Sequence, residues 1–156
     1  MEFRRMKTCE VLEVAKLYNN LITAIKNETQ DEYLLFDNLS AEDTSKMLES
    51  IANDNSKRIY IARNERIAGF ISGEIMSCFL PISKIKEVGY ISGAFVLPEY
   101  RDKGILKKLE SMLIGFFVSK NLSYIELNIL SKNILAKETW SKLGYSTFRE
   151  QMRKRI

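Results

Sequence analysis

Between Glu87 and Lys120 the sequence changes its hydrophobic period once, and abruptly. Glu87–Leu97 reads as a long strand, and Pro98 stops it because proline cannot donate to a ladder. Gly104 then opens Ile105–Lys120, where Leu106, Leu109, Met112, Leu113, Phe116 and Phe117 fall at helical spacing. The connection is basic, with Arg101, Lys103, Lys107 and Lys108 around the helix start. The first turn of a helix leaves backbone N–H groups unpaired and carries the positive end of the macrodipole. The segment therefore suits a phosphate or pyrophosphate, and Gly104 lets the backbone approach it closely. Taken alone, strand, basic loop and helix also make an ordinary connection.

The rest of the chain supplies the layers. Phe3–Met6 is a weak first strand, and Glu10–Lys26 carries Val11, Val14, Ala15, Leu17, Tyr18, Leu21, Ile22 and Ile25 at helical spacing. Ser40 with Asp43 resembles a capping box and opens a helix through about Ala52. Arg58–Ala62 and Ile67–Ile75 form a hairpin candidate around Asn64-Glu65-Arg66. Ser123–Leu130 alternates as a strand, Asn133–Leu143 is a short helix ended by Gly144, and Tyr145–Arg153 reads as a final strand. Antiparallel strands come first and a βαβ unit follows. This order predicts one α+β domain over residues 1–156, with a mixed sheet and helices on both faces.

Composition narrows the chemistry. With 156 residues, 46% hydrophobic and 28% charged, the chain is long enough and apolar enough for one buried core. Histidine is absent, which removes Ser-His-Asp and Cys-His nucleophilic schemes, HExxH zinc sites and a histidine pH switch. Cys9 and Cys78 are the only cysteines, too few for a cysteine-cluster zinc or iron–sulfur site, so no metal is expected. Carboxylates, hydroxyls, lysines, backbone dipoles or a bound cofactor remain. The net charge is 24 − 20 = +4, a mild excess that suits an anionic ligand but supports no nucleic-acid partner. No apolar stretch approaches the ~20 residues of a membrane span, and no signal peptide is evident, so the expected address is the cytoplasm.

Two motifs carry a more specific signal. Val96, Pro98, Tyr100, Arg101, Lys103 and Gly104 fit V-x-P-x-[YF]-R-x-[KR]-G-x-[GA], and the segment resembles the acetyl-CoA-binding motif of the GNAT superfamily of N-acetyltransferases. Asn133, Ala136, Trp140, Lys142, Gly144 and Tyr145 resemble that superfamily's second signature, N-x-x-A-x-x-x-[YW]-x-K-x-G-[FY]. The resemblance implies a GNAT-like, mostly antiparallel mixed sheet and acetyl-CoA as co-substrate. Ala94, Phe95 and Val96 would lie along the pantetheine arm, with an N–H near Ala94 polarising the thioester. The amides of Arg101, Asp102, Lys103, Gly104, Ile105 and Leu106 would wrap the pyrophosphate, and Asn133 and Trp140 would border the thiol end. The implied reaction is direct attack by an amine, with no covalent enzyme intermediate.

The sequence departs from the pattern at four positions, 106, 140, 90 and 128. Leu106 replaces the small residue that ends the phosphate loop. It either crowds the pyrophosphate or points into the core and offers only its amide, and the helix propensity of leucine favours the second. Trp140 stands where many members hold a tyrosine acid, and an indole N–H cannot protonate a thiolate; a packing role is expected. Tyr90 occupies the place of a catalytic glutamate, and Glu126 lies two residues before Asn128, where some relatives carry a carboxylate. Tyr90 and Glu126 are the catalytic candidates, each with an alternative structural role. The function implied is an acetyl-CoA-dependent transfer to a primary amine of a small molecule or peptide. The competing reading is a catalytically weak or inactive acyl-CoA-binding module. Asn27–Asn38, with Tyr33, Leu34, Leu35 and Phe36, is an acceptor wall or a homodimer contact, and the basic tail is a solvated strand end.

Overall fold

Strand alternation sorts the apolar residues into two cores, one on each side of a single sheet. The computed structural model describes residues 1–36 and 38–156; Asp37, inside the Asn27–Asn38 segment, lies outside the described residues. Strands β1 (Glu2–Arg5), β2 (Lys57–Arg63), β3 (Ile67–Ser77), β4 (Glu87–Val96) and β5 (Ile125–Leu127) follow one another in the sheet in chain order. The first four pair antiparallel and β4 with β5 pairs parallel. Helix α1 (Val11–Thr29) and helix α2 (Ala41–Ala52) pack on one face, where Val14, Leu17, Leu48, Ile59, Ile61, Phe70 and Phe95 are buried together. Helix α3 (Ile105–Ser119) and helix α4 (Ile134–Lys142) cover the other face over Ile71, Ile91, Val96, Leu109, Leu113, Phe116 and Phe117. The mixed α+β architecture read from the sequence is the one observed.

Local signals place the elements. The side chain of Ser40 accepts from Asp43 N at 3.2 Å and caps α2. Asn64 N donates to Arg66 O at 3.0 Å in the β2–β3 hairpin. Gly144, at φ 95°, ends α4 in the left-handed conformation. One ionic knot ties β1, β2, β3 and α1. Arg4 donates to both oxygens of Glu10 at 2.7 Å, and Arg63 donates to Glu13 at 2.8 Å. Glu13 also accepts from Ile67 N at 2.7 Å. Glu10 is buried, and the Arg4 guanidinium beside it holds its carboxyl down at about 2.

Two strand expectations are corrected. Ser123–Leu130 alternates throughout, yet β5 is only Ile125–Leu127, because β4 turns away and leaves the later residues without a ladder. Tyr145–Arg153 forms no strand. Its apolar side chains pack locally instead: Tyr145 meets Trp140 edge-on at 5.2 Å, and Phe148 packs against Phe79 at 6.0 Å. Its far end is held by Arg153, which donates to both oxygens of Asp31 at 3.0 and 2.9 Å and lies 4.3 Å over the Tyr33 ring. The basic tail thus reaches the α1–α2 connection rather than ending a strand in solvent.

Candidate active site

The centre of the molecule is the place where β4 and β5 part. They are paired only from Gly89–Ile91 to Ile125–Leu127, while β4 runs on to Val96. An extra residue in β4 accompanies the parting. Gly73 pairs with Ile91 and Ser72 with Gly93, so Ser92 is bulged out of the ladder. The bulge is stitched by side chains: the hydroxyls of Ser72 and Ser92 are 3.0 Å apart, and Ser72 Oγ donates to Gly93 O at 3.3 Å.

The bulge also decides which backbone groups are free. Leu97 N donates to Ala68 O at 2.9 Å, so in the antiparallel alternation Phe95 and Gly93 also bond to β3. Ala94 and Val96 consequently point their N–H and C=O groups away from β3, into the opening that β5 has left. Val96 O is taken by Arg101 Nε at 3.0 Å. Among the described residues Ala94 N, Ala94 O and Val96 N meet no partner on this side, since β5 pairs only with Gly89–Ile91. The resemblance implies an available N–H near Ala94, and in the ladder the Ala94 N–H points into the opening.

At the top of β4 the chain makes a short turn at Pro98–Tyr100 and enters α3 through Gly104. Two consecutive features make this entry special. Asp102 (φ 60°) and Gly104 (φ 73°) are both left-handed, which curls the loop. No side chain caps α3, and its first turn holds no acidic residue. The amides of the first turn, with their dipole and the surrounding lysines and arginine, make an open, positive end that can receive an anion. A Cβ at Gly104 would meet nothing within 4 Å, so the glycine serves backbone conformation and open approach rather than packing. Ile105 is buried, and Leu106 packs its side chain on the α3-side core, which leaves its amide as the available group.

The remaining expected residues divide. Trp140 is half-buried in the α3-side core and edge-on to Tyr145, the packing role expected of it. Asn133 caps α4, its Oδ1 accepting from Ala136 N at 3.1 Å, so its oxygen is already committed. Tyr90 and Glu126 are brought together: they are direct partners in the β4–β5 ladder and share the face that α1 covers, next to the parting. Phe116 and Phe117 are buried, as read from the sequence.

Four residues near the opening escaped sequence reasoning. Ser72 and Ser92 give no motif. Tyr18 looked like one more apolar position of α1, yet its ring edge stands 3.1 Å from where a Cβ on Gly93 would be. Glu74 lies directly across β3–β4 from Tyr90. Burial, with Tyr90 and Glu74 adding to it, pushes the Tyr18 phenol above its ordinary value. On the α3 side, burial likewise raises the Glu110 carboxyl, which neighbours Tyr145.

A splayed strand pair facing an uncapped, basic helix entry can accept a long anionic thioester along β4. The chain matches the model of the family described as Acetyltransferase (GNAT) family over residues 22–145, well over half its length. The chain belongs to the GNAT acetyltransferase family. Members of that family use acetyl-CoA as acetyl donor. No curated protein matches by sequence. Solved GNAT-fold structures superpose closely. A mutant of the BH1408 protein from Bacillus halodurans is 19% identical with a TM-score of 0.86, over 100% of both chains. The aminoglycoside 6'-N-acetyltransferase AAC(6')-IG from Acinetobacter haemolyticus is 13% identical with a TM-score of 0.79, over 100% of this chain and 99% of that one. AAC(6')-Iy, solved in complex with a bisubstrate analogue of CoA and acetylneamine, is 17% identical with a TM-score of 0.79, over 99% and 97%. At these identities the likeness is one of fold.

Proposed function

We propose that the protein is an acetyl-CoA-dependent N-acetyltransferase that passes the acetyl group directly to a primary amine of a small molecule or peptide. The observation that carries this is the parting of β4 from β5 at the Ser92 bulge, which aims Ala94 and Val96 at the gap below the uncapped start of α3. The pantetheine would run along that edge, the Ala94 N–H would polarise the thioester carbonyl, and the amides from Arg101 to Leu106 would take the pyrophosphate. Holding donor and amine in one cleft supplies proximity, the largest saving available to a reaction without a covalent intermediate.

Because aminoglycoside N-acetyltransferases are among the structural neighbours, small polyamines are the first amines to test, with peptides beside them. Calorimetry with acetyl-CoA should show stoichiometric binding, and a thiol-release assay over aminoglycosides, alkylamines and peptides should show turnover. Absence of binding at millimolar acetyl-CoA would end the reading. Binding without thiol release for any amine would leave the donor site standing and support the acyl-CoA-binding module instead.

A further inference from the structure

The carboxylate expected on the strands flanking the opening stands one strand further in. Tyr90 occupies the place where a glutamate base was sought, and its partner across the β3–β4 ladder is Glu74. Faces follow from the register. Glu74 alternates with Ser72 on β3, Ser72 pairs with Gly93, and the Cβ direction at Gly93 points to Tyr18 of α1 and to Ser72 Oγ. Glu74, Tyr90 and Tyr18 therefore share the α1 face of the sheet beside the bulge, at the mouth of the opening. Ser72 and Glu74 are two strand residues apart, about 7 Å, a span that the glutamate side chain and one water cover.

Glu74 is half-buried, and only one of its oxygens is engaged. Oε2 meets Lys57 Nζ at 3.4 Å, from its register partner on β2. Among the described residues no hydrogen bond reaches Oε1. The groups facing it are thus Lys57 from β2, Tyr90 from β4 and Tyr18 from α1. Glu126, on the other side of Tyr90, instead lines a cavity of about 670 Å³ outside β5 with Phe79, Tyr124 and Phe148. That lining includes neither Tyr18 nor Gly93.

We propose that Glu74 is the general base of the acetyl transfer, taking a proton from the acceptor's ammonium directly or through one water, with the Tyr18 and Tyr90 hydroxyls lining its path to Gly93. This rests on the acetyltransferase reading above. The ammonium R–NH3⁺ gives one proton to the Glu74 carboxylate and becomes a neutral amine. Its lone pair forms the C–N bond to the acetyl carbonyl carbon. The C–S bond then breaks, its electron pair leaves on sulfur, and the thiolate takes the surplus proton from the new nitrogen. Products are the amide and free CoA thiol, and the proton on Glu74 returns to solvent.

The test uses two small acceptors at pH 7.5: ethylamine, which is an ammonium there, and hydroxylamine, which is already neutral and needs no base. Glu74→Gln should slow acetylation of ethylamine by about 10²-fold or more while leaving hydroxylamine within about threefold of wild type. Lys57→Met, which removes the ion pair and keeps the carboxylate, should retain the wild-type ratio of the two rates. Equal loss on both amines, no loss, a Lys57→Met ratio that copies Glu74→Gln, or selective loss in Glu126→Gln instead would each overturn the assignment. A wild type that binds acetyl-CoA and acetylates neither amine overturns it as well. Failure to bind acetyl-CoA is the separate result that removes the acetyltransferase reading itself.

Discussion

Two glycines in this molecule do opposite work, and substitution should separate them. Gly104 sits at φ 73° with open space around it, so a side chain there loses no packing but strains the loop and stands where an anion would approach. Gly104→Val should weaken acetyl-CoA binding at least ~10-fold by calorimetry, while costing the fold only about 1–2 kcal/mol of strain. Gly89 is the reverse. A Cβ there would lie 2.5 Å from the Phe117 ring, whose buried position under the sheet gives it little room to move. Gly89→Ala should cost about 1–3 kcal/mol in urea unfolding, by overpacking, with the affinity of the remaining folded protein for acetyl-CoA close to wild type. If both variants lost affinity and stability in proportion, the division between ligand loop and core would be wrong. Gly104 was readable from sequence because its neighbours spell a motif. Gly89 was not, because nothing local says that a phenylalanine from a distant helix will press on it.

At the scale of the element, β4 carries most of the functional geometry, and its sequence shows about half of it. Its span and its end at Pro98 were legible, since alternation and proline are local signals. The bulge at Ser92 was not. A serine beside a glycine fits a regular strand equally well, and only pairing with β3 shows that one residue is surplus. That missed residue explains the missed length of β5: the alternation of Ser123–Leu130 continues, but past Leu127 the bulged partner has moved off. Tyr90 was reached as a family position and Glu126 as a stand-in two residues before one, whereas Glu74 and Tyr18 come to the same face through the β3–β4 register and the packing of α1, which a single sequence does not state. Ser72 is fully buried and its hydroxyl bridges both sides of the bulge. Ser72→Ala should cost about 1–2 kcal/mol, the loss of these bonds with Ser92 left short of a partner. Hydrogen exchange should speed up at Gly93 and Phe95, the amides that bond to β3, more than at β1. A change spread evenly over the sheet would mean that Ser72 supports the fold generally and not the bulge.

Across the whole molecule, the position of α1 over the opening depends on an anchor remote from it. Tyr18 is a single turn or two beyond Glu10 and Glu13, which bind Arg4, Arg63 and Ile67 N and so fix the start of α1 to three strands. The ties within this knot join residues up to 54 positions apart, so composition and periodicity alone could not reveal it. Its pH dependence has a definite sign. The carboxyl of Glu10 lies at about 2 when folded against 4.5 when free, chiefly because Arg4 hydrogen-bonds it. A depressed carboxyl contributes stability that is fully present above the unfolded value and disappears as pH falls towards the folded one. The window is therefore roughly pH 4.5 down to 2, with a contribution on the order of 3 kcal/mol at neutral pH. Urea midpoints measured from pH 7 to pH 3 should fall in the wild type through the lower part of this range. Glu10→Gln should begin lower at pH 7 and show a shallower acid limb, so that the two curves converge. Curves that stay parallel would show that the knot is not a main source of the acid sensitivity. Because the anchor also sets where Tyr18 stands, Glu10→Gln should reduce acetylation of ethylamine while acetyl-CoA affinity, which the proposed donor site assigns to β4 and α3, stays near wild type. Equal losses in both would mean that α1 and the donor site are a single cooperative unit.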